Sequence, residues 1–250
     1  CSSDLIPMPT AFPNFKLFSG IFNSTMKFIG LLTKPAEWGA VIIKLGMMMY
    51  DFFVRGDSPM PGHRLFNNQE SLEIWPEINP NLIYVGTYYD GGMESPERLA
   101  LEILMDGANE GDHARAINYL SAVGADEDKV LLKDELTGEE IPVQPQIVIN
   151  AGGPWIDYVN REIAEESRYI GGTKGTHIIF AQPELRKAIG DYEFFFEHVD
   201  GRIVRIFPYL ENKVMIGTTD LRIEDPDLAV CTDDEVDYIM GMVSHIFPNL

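Results

Sequence analysis

The 250-residue sequence holds 22 glycines and not one G-x-G. These residues therefore lack the G-x-G-x-x-G loop that follows the first strand of a dinucleotide fold and brings backbone up to a pyrophosphate. Cysteine is scarce: Cys1 and Cys231 make neither a disulfide framework nor a zinc pattern, in keeping with a reducing compartment. The histidines at 63, 113, 198 and 245 have no spacing with other ligands, so no metal is assigned. Without a C-G-x-C or G-x-S-x-G context, nucleophilic hydrolase chemistry has no support. Basic residues are few, 19 Lys and Arg against 39 Asp and Glu, for a net charge of −20. With no basic run, a nucleic-acid partner is excluded, because phosphate backbones need clustered Lys and Arg. Nor is there an uninterrupted apolar run of the roughly 20 residues a spanning helix needs. The longest, Trp38–Val54, is broken by Lys44 and Asp51 and reads as a core or interface helix, with membrane-surface contact the lesser option. Asp4, Pro7, Pro9 and Pro13 interrupt any signal-peptide core.

What is present is 45 % apolar residues, enough to build a core, over a length that suits one large domain or two small ones. Residues 1–65 read as mostly helical and connective, with apolar stretches at Phe15–Leu32 and Ala36–Phe53. Arg55–Asn81 is dense in breakers and reads as a long connection. Leu82–Tyr88 is a predicted strand, and Asp90-Gly91-Gly92 a turn. Ser95-Pro96-Glu97 then opens a helix running to about Gly107. Ala116–Val123, Lys129–Lys133 and Glu139–Val143 are three short strands, and Gln146–Asn150 is a buried strand entering the turn Ala151-Gly152-Gly153-Pro154.

Four more strands are predicted at His177–Ala181, Tyr192–His198, Ile203–Tyr209 and Val214–Gly217, with hairpin turns at Asp200-Gly201 and Glu211-Asn212. Thr232-Asp233-Asp234-Glu235 is a capping box. It opens a helix whose apolar face is Val236, Ile239, Met240, Val243 and Phe247. The fold class is α/β of the α+β type, with a largely antiparallel sheet. Three segments are expected: 1–81 helical and connecting, 82–170, and 171–250.

Taken singly, the candidate chemical motifs are weak. INAGGPW is most simply a strand-to-helix corner. Gly171-Gly172-Thr173-Lys174-Gly175 resembles a phosphate loop only superficially, since the Lys precedes the last Gly and a strand follows where a helix should. His177 opens an otherwise apolar strand and is either a satisfied structural His or a proton-transfer group. Thr218-Thr219-Asp220 ends a hairpin strand, as a plain turn or as a small polar pocket. Arg202 and Arg205 are three apart in one strand and point to opposite faces, so at most one faces a given site.

In order, YYDGGMESPERL, QIVINAGGPWID, GGTKGTHIIF, DGRIVRIFPYLENKVMIGTTD and the capped DDEVDYIM helix resemble the FAD-dependent glycerol-3-phosphate dehydrogenases from about Met60 to the end. LIPMPTAF and the apolar helices resemble the segment after that family's flavin-binding start. The resemblance implies an antiparallel substrate-domain sheet with helices, together with the β-meander of an FAD-binding domain. It implies that 82–170 belongs to the flavin domain and 171–250 to the substrate domain. Ala151, Gly152, Gly153 and Trp155 would lie near FAD, and the backbone at Ala122 near the adenine. Gly152 stands where the family has Thr.

The resemblance further implies His177 as the catalytic base near the reacting hydroxyl, with Thr218, Thr219 and Arg202 about the substrate. The implied reaction oxidises sn-glycerol 3-phosphate to dihydroxyacetone phosphate, electrons passing through FAD to a quinone or other acceptor. The implied location is cytoplasmic, with peripheral contact on the inner face of the cell membrane. The family's G-x-G-x-x-G and G-[VI]-R-P motifs are missing from these residues. The chain is therefore expected to be an internal fragment that needs the parent's remaining FAD-binding segments, and by itself to bind FAD weakly or not at all. The alternatives are a related FAD-dependent oxidase with oxygen as acceptor or another substrate, and a non-catalytic domain that retained the fold.

Overall fold

In chain order the elements are β1 (Ile6–Asn14), α1 (Ala40–Val54), β2 (Arg64–Asn67), α2 (Asn68–Ile74), β3 (Tyr84–Gly92), α3 (Pro96–Asn109), β4 (Leu120–Asp126), β5 (Lys129–Asp134), β6 (Glu140–Val143), α4 (Ile156–Ile163), β7 (Thr173–Lys174), β8 (His177–Phe180), α5 (Pro183–Ile189), β9 (Glu193–Glu197), β10 (Ile203–Tyr209), β11 (Lys213–Gly217), β12 (Leu221–Arg222) and α6 (Asp233–Ile246). This computed structural model describes residues 6–16, 40–54, 60–93, 95–126, 128–163, 166–198 and 200–250. The fold is mixed α/β. The chain divides into two units. One comprises Cys1–Glu94, Gly175–Asp220 and Val230–Leu250; the other comprises Ser95–Lys174 and Leu221–Ala229.

The first unit is built on a seven-stranded sheet in the order β2-β3-β1-β9-β10-β11-β8, antiparallel throughout except at β1–β9. The hairpins β9–β10 and β10–β11 turn at the expected Asp200-Gly201 and Glu211-Asn212. The amino-terminal segment departs from expectation. Ile6–Asn14 is not connective but a strand that pairs with β3 over nine residues. Pro7, Pro9 and Pro13 share one parity, so their missing N–H groups all fall on one side of β1. The even-numbered residues keep theirs for the ladder with β3. On the other side β9 pairs only at Thr10 and Ala11.

Asp90-Gly91-Gly92 is likewise strand, because β3 continues to pair with β1 as far as Gly92↔Ile6. The expected long connection contains β2 and α2. Asn67 caps α2 by accepting from the Glu70 N–H at 3.0 Å, and the Glu70 carboxylate returns to the Asn67 N–H at 2.8 Å. Most of Phe15–Leu32 and the residues Arg55–Pro59 lie outside the described residues.

One face of the sheet carries the core. Phe194, Phe196, Val204, Ile206, Val214 and Ile216 are buried under Leu185 and Ile189 of α5, under Ile239, Met242, Val243 and Ile246 of α6, and against Trp75 and Ile78. On α6 it is Met242 rather than Met240 that is buried. Glu235 is also buried on that helix, which an apolar pattern does not foresee. The opposite face is covered at its β2–β3 end by α1. There Gly86 admits the Met47 side chain, whose Cε would lie 2.7 Å from a Cβ at that position.

The second unit holds the meander β4-β5-β6, the pair β12-β7, and helices α3 and α4. Contacts change near residues 95 and 175, not at 82 and 171, because β3 belongs to the large sheet and β12 returns the chain to β7. The strand expected at Gln146–Asn150 does not form. Those residues are unpaired, with Ile147 79 % and Ile149 84 % exposed, so an apolar run here does not mark burial within the described residues. Among the described residues no helix is long and apolar enough to cross a membrane.

Candidate active site

The sheet face opposite the core carries Glu193, Arg205 and His177. Register pairs Arg205 of β10 with Gly217 of β11, and Gly217 with His177 of β8. Side chains of directly paired residues share a face, so His177 and Arg205 flank the bare backbone of Gly217. The imidazole leans over that glycine. A Cβ there would lie 2.8 Å from both Cγ and Nε2 of His177. His177 is exposed, and its ring nitrogens have no hydrogen-bond partner among the described residues. Its pKa is held below the ordinary 6.5, first by burial of part of the ring and then by the positive Arg205. The ring is therefore neutral near pH 7 and able to accept a proton.

The segment entering β8 is held by Glu235, the third residue of α6 and only 3 % exposed. Its Oε2 accepts from the Thr232 N–H and hydroxyl, both at 3.0 Å, which is the capping-box half of its role. Its Oε1 accepts from the Thr176 and Thr219 hydroxyls, each at 2.8 Å. The Thr176 N–H donates to the Thr219 hydroxyl at 2.9 Å. Gly175 makes this packing feasible, since a Cβ there would run into the Thr218 hydroxyl and lie 3.1 Å from the Thr219 carbonyl oxygen. One buried carboxylate thus ties the residue before His177 to the end of β11.

The expected substrate residues fare differently. Thr218 is half-buried beside Gly217, its hydroxyl donating to the Thr219 carbonyl at 3.0 Å. Thr219 is buried, and its hydroxyl already donates to Glu235 and accepts from Thr176, so it positions the loop instead of meeting a ligand. Arg202 lies in the β9–β10 turn, 3.5 Å from Asp200 and 4.8 Å over the ring of Tyr238 on α6. Being of opposite parity to Arg205, it is turned away from the His177 face, and the arginine that faces His177 is Arg205.

The cofactor candidates belong to the second unit. Ala122 pairs with Leu132 beside a bulge in β4. The glycine turn is organised by Asn150, which sequence reasoning passed over. Its Oδ1 accepts from the Gly152 N–H at 3.0 Å, and its Nδ2 donates to the Ile156 carbonyl at 2.9 Å and to Asn160 at 2.7 Å. Ala151 is exposed. Gly153 has φ +55°, and beyond its chain neighbours no atom of the described residues lies within 4 Å of where its Cβ would stand. Trp155 donates from Nε1 to Asp227 at 2.9 Å. An open, left-handed glycine leading through a 3-10 turn into α4 fits one backbone wall of a dinucleotide site.

Comparison with known proteins identifies relatives over most of the chain. The family model "DAO: FAD dependent oxidoreductase" matches residues 46–250. A glycerol-3-phosphate dehydrogenase of Synechocystis sp. is 32 % identical over 224 residues, covering 82 % of this chain and 39 % of that protein. The chain thus spans about two-fifths of that relative's length. The FAD-complexed glycerol-3-phosphate dehydrogenase of Bacillus halodurans superposes with a TM-score of 0.65 at 22 % identity, covering 99 % of this chain and 41 % of the other. The FAD-bound L-alpha-glycerophosphate oxidase of Mycoplasma pneumoniae gives 0.60 at 14 %, covering 100 % and 59 %. The chain belongs to the FAD-dependent oxidoreductase family.

Proposed function

We propose that the chain is the substrate-domain portion, with part of the flavin domain, of an FAD-dependent glycerol-3-phosphate dehydrogenase. The reaction is oxidation of sn-glycerol 3-phosphate to dihydroxyacetone phosphate, with a quinone as the final acceptor at the inner face of the cell membrane. The observation that carries the reading is His177: an exposed, neutral imidazole without a hydrogen-bond partner among the described residues, at a strand start buttressed by Glu235. His177 accepts the C2 hydroxyl proton as the C2 hydride leaves. Thr218, next to Gly217 in the chain, orients the hydroxyl. The backbone at Ala151, Gly152 and Gly153, with Trp155 and Ala122, would hold part of FAD, which would supply the two-electron oxidant. The similarity to glycerol-3-phosphate dehydrogenases supports the choice of substrate.

The test is anaerobic bleaching of flavin absorption in the full-length, FAD-loaded protein. Glycerol 3-phosphate should bleach it, and bleaching by amino acids alone would overturn the reading. A second reading, an oxidase using oxygen, is favoured by the fold shared with a glycerophosphate oxidase. Stoichiometric peroxide release in air would select it.

A further inference from the structure

We propose that Arg205 is a substrate-binding residue: its guanidinium, held through Nε by the buried Glu193 on the His177 face of the sheet, receives the anionic phosphate of the substrate. The inference rests on glycerol 3-phosphate being that substrate.

Three observations converge on Arg205. The first is placement. Across β10, β11 and β8 the lateral row reads Arg205, Gly217, His177, and the middle residue has no side chain. Nothing on the sheet separates the guanidinium from the imidazole, so one small molecule can meet both. The second is anchoring. Glu193, on the neighbouring strand, is only 2 % exposed and bonds Arg205 Nε, while the Arg205 side chain is 45 % exposed. A buried carboxylate is costly unless a cation meets it, so the pair fixes the arginine stem in one place. Using Nε alone leaves the terminal nitrogens, which make no hydrogen bond among the described residues. They form the edge that binds a phosphate.

The third observation is the surroundings. Thr10 pairs with Glu193 on one side and with Tyr88 on the other. Its hydroxyl is buried without a partner among the described residues, an unmet polar group on the same face. Phe207, on β10, sits beneath the guanidinium at 5.5 Å. Arg205 is thus a pre-oriented cation with free donors, next to the base and supported from below, as an anion anchor requires.

The test uses the full-length, FAD-loaded protein with Arg205→Met, and with Arg205→Met/Glu193→Gln, which avoids leaving a lone buried carboxylate. The reading is the ratio of kcat/KM for glycerol 3-phosphate to that for glycerol. This ratio should fall on the order of 10- to 100-fold, the loss of one charge-assisted contact. An equal fall for both substrates would mean a purely structural role and overturn the proposal. Inorganic phosphate is the independent probe. In the wild type it should shift the His177 ring resonances saturably, and in the double variant it should not. Phosphate shifts of equal size in both proteins, or in neither, also overturn the proposal. Phosphate binding that needs Arg205, in a wild type unable to oxidise glycerol 3-phosphate, would sink the substrate assignment and leave the anion site standing.

Discussion

The imidazole of His177 occupies the volume that a side chain at Gly217 would fill, 2.8 Å separating the would-be Cβ from Nε2. Gly217→Ala therefore cannot leave the ring where it is. The backbone of Gly217 does not have the positive φ that would demand glycine, so the cost falls on the ring rather than on the strand. Turnover of the FAD-loaded protein should fall about 100-fold, the scale of a displaced catalytic group, with little change in Tm. Unchanged turnover would show that the ring's place over Gly217 does not matter.

The acid limb of the kcat/KM profile follows from the same ring. His177 must be neutral to accept a proton, and its pKa lies below 6.5 through burial and the Arg205 charge. The limb should fall below pH 6.5. Arg205→Met removes a charge that disfavours imidazolium and leaves the carboxylate of Glu193, which favours it, so the limb should move upward. Part of the depression should persist, because burial is the larger cause. A limb that moves down in this variant contradicts the assignment.

Glu235→Ala removes an acceptor from three hydroxyls and one N–H, with the Thr176 and Thr219 hydroxyls in the interior. Leaving two buried donors unmet should cost about 2–4 kcal/mol in denaturant unfolding. A loss below about 1 kcal/mol would place those hydroxyls in contact with water.

How much of this was legible in the sequence depends on range. The hairpins of β9–β11 were legible because Asp200-Gly201 and Glu211-Asn212 are local turn signals between alternating runs. The capping box at Thr232 was legible for the same reason. The other half of Glu235's role was not, since its partners lie 59 and 16 residues away. Parity alone said that Arg202 and Arg205 part company. Which of them meets His177 required the pairing of β10 with β11 and of β11 with β8. The segment of β1 read as helical and connective because a single sequence does not reveal which strand edge lacks a partner and so tolerates its prolines. Ile147–Ile149 read as buried because apolarity was taken for burial, and the structure leaves them exposed.

In the second unit, Asp157 accepts from the N–H groups of Tyr169 and Ile170 and from the Ser167 hydroxyl. Those bonds hold its pKa below the ordinary 3.8. Because the folded pKa is depressed, this anchoring is fully present above pH 3.8 and is lost as pH falls through the lower folded value. Asp157→Asn should speed amide exchange at Tyr169 and Ile170 at neutral pH while leaving β4–β6 unaffected. Unchanged exchange at both amides would remove Asp157 as the anchor.

The most direct test is stopped-flow reduction of the flavin by glycerol 3-phosphate, without oxygen, in the full-length protein and in His177→Ala. The wild type should bleach rapidly and the variant at least about 100-fold more slowly, the low end for loss of a general base. Equal rates in the two proteins would contradict the role of His177, and with it the assignment of this sheet face as the site of oxidation.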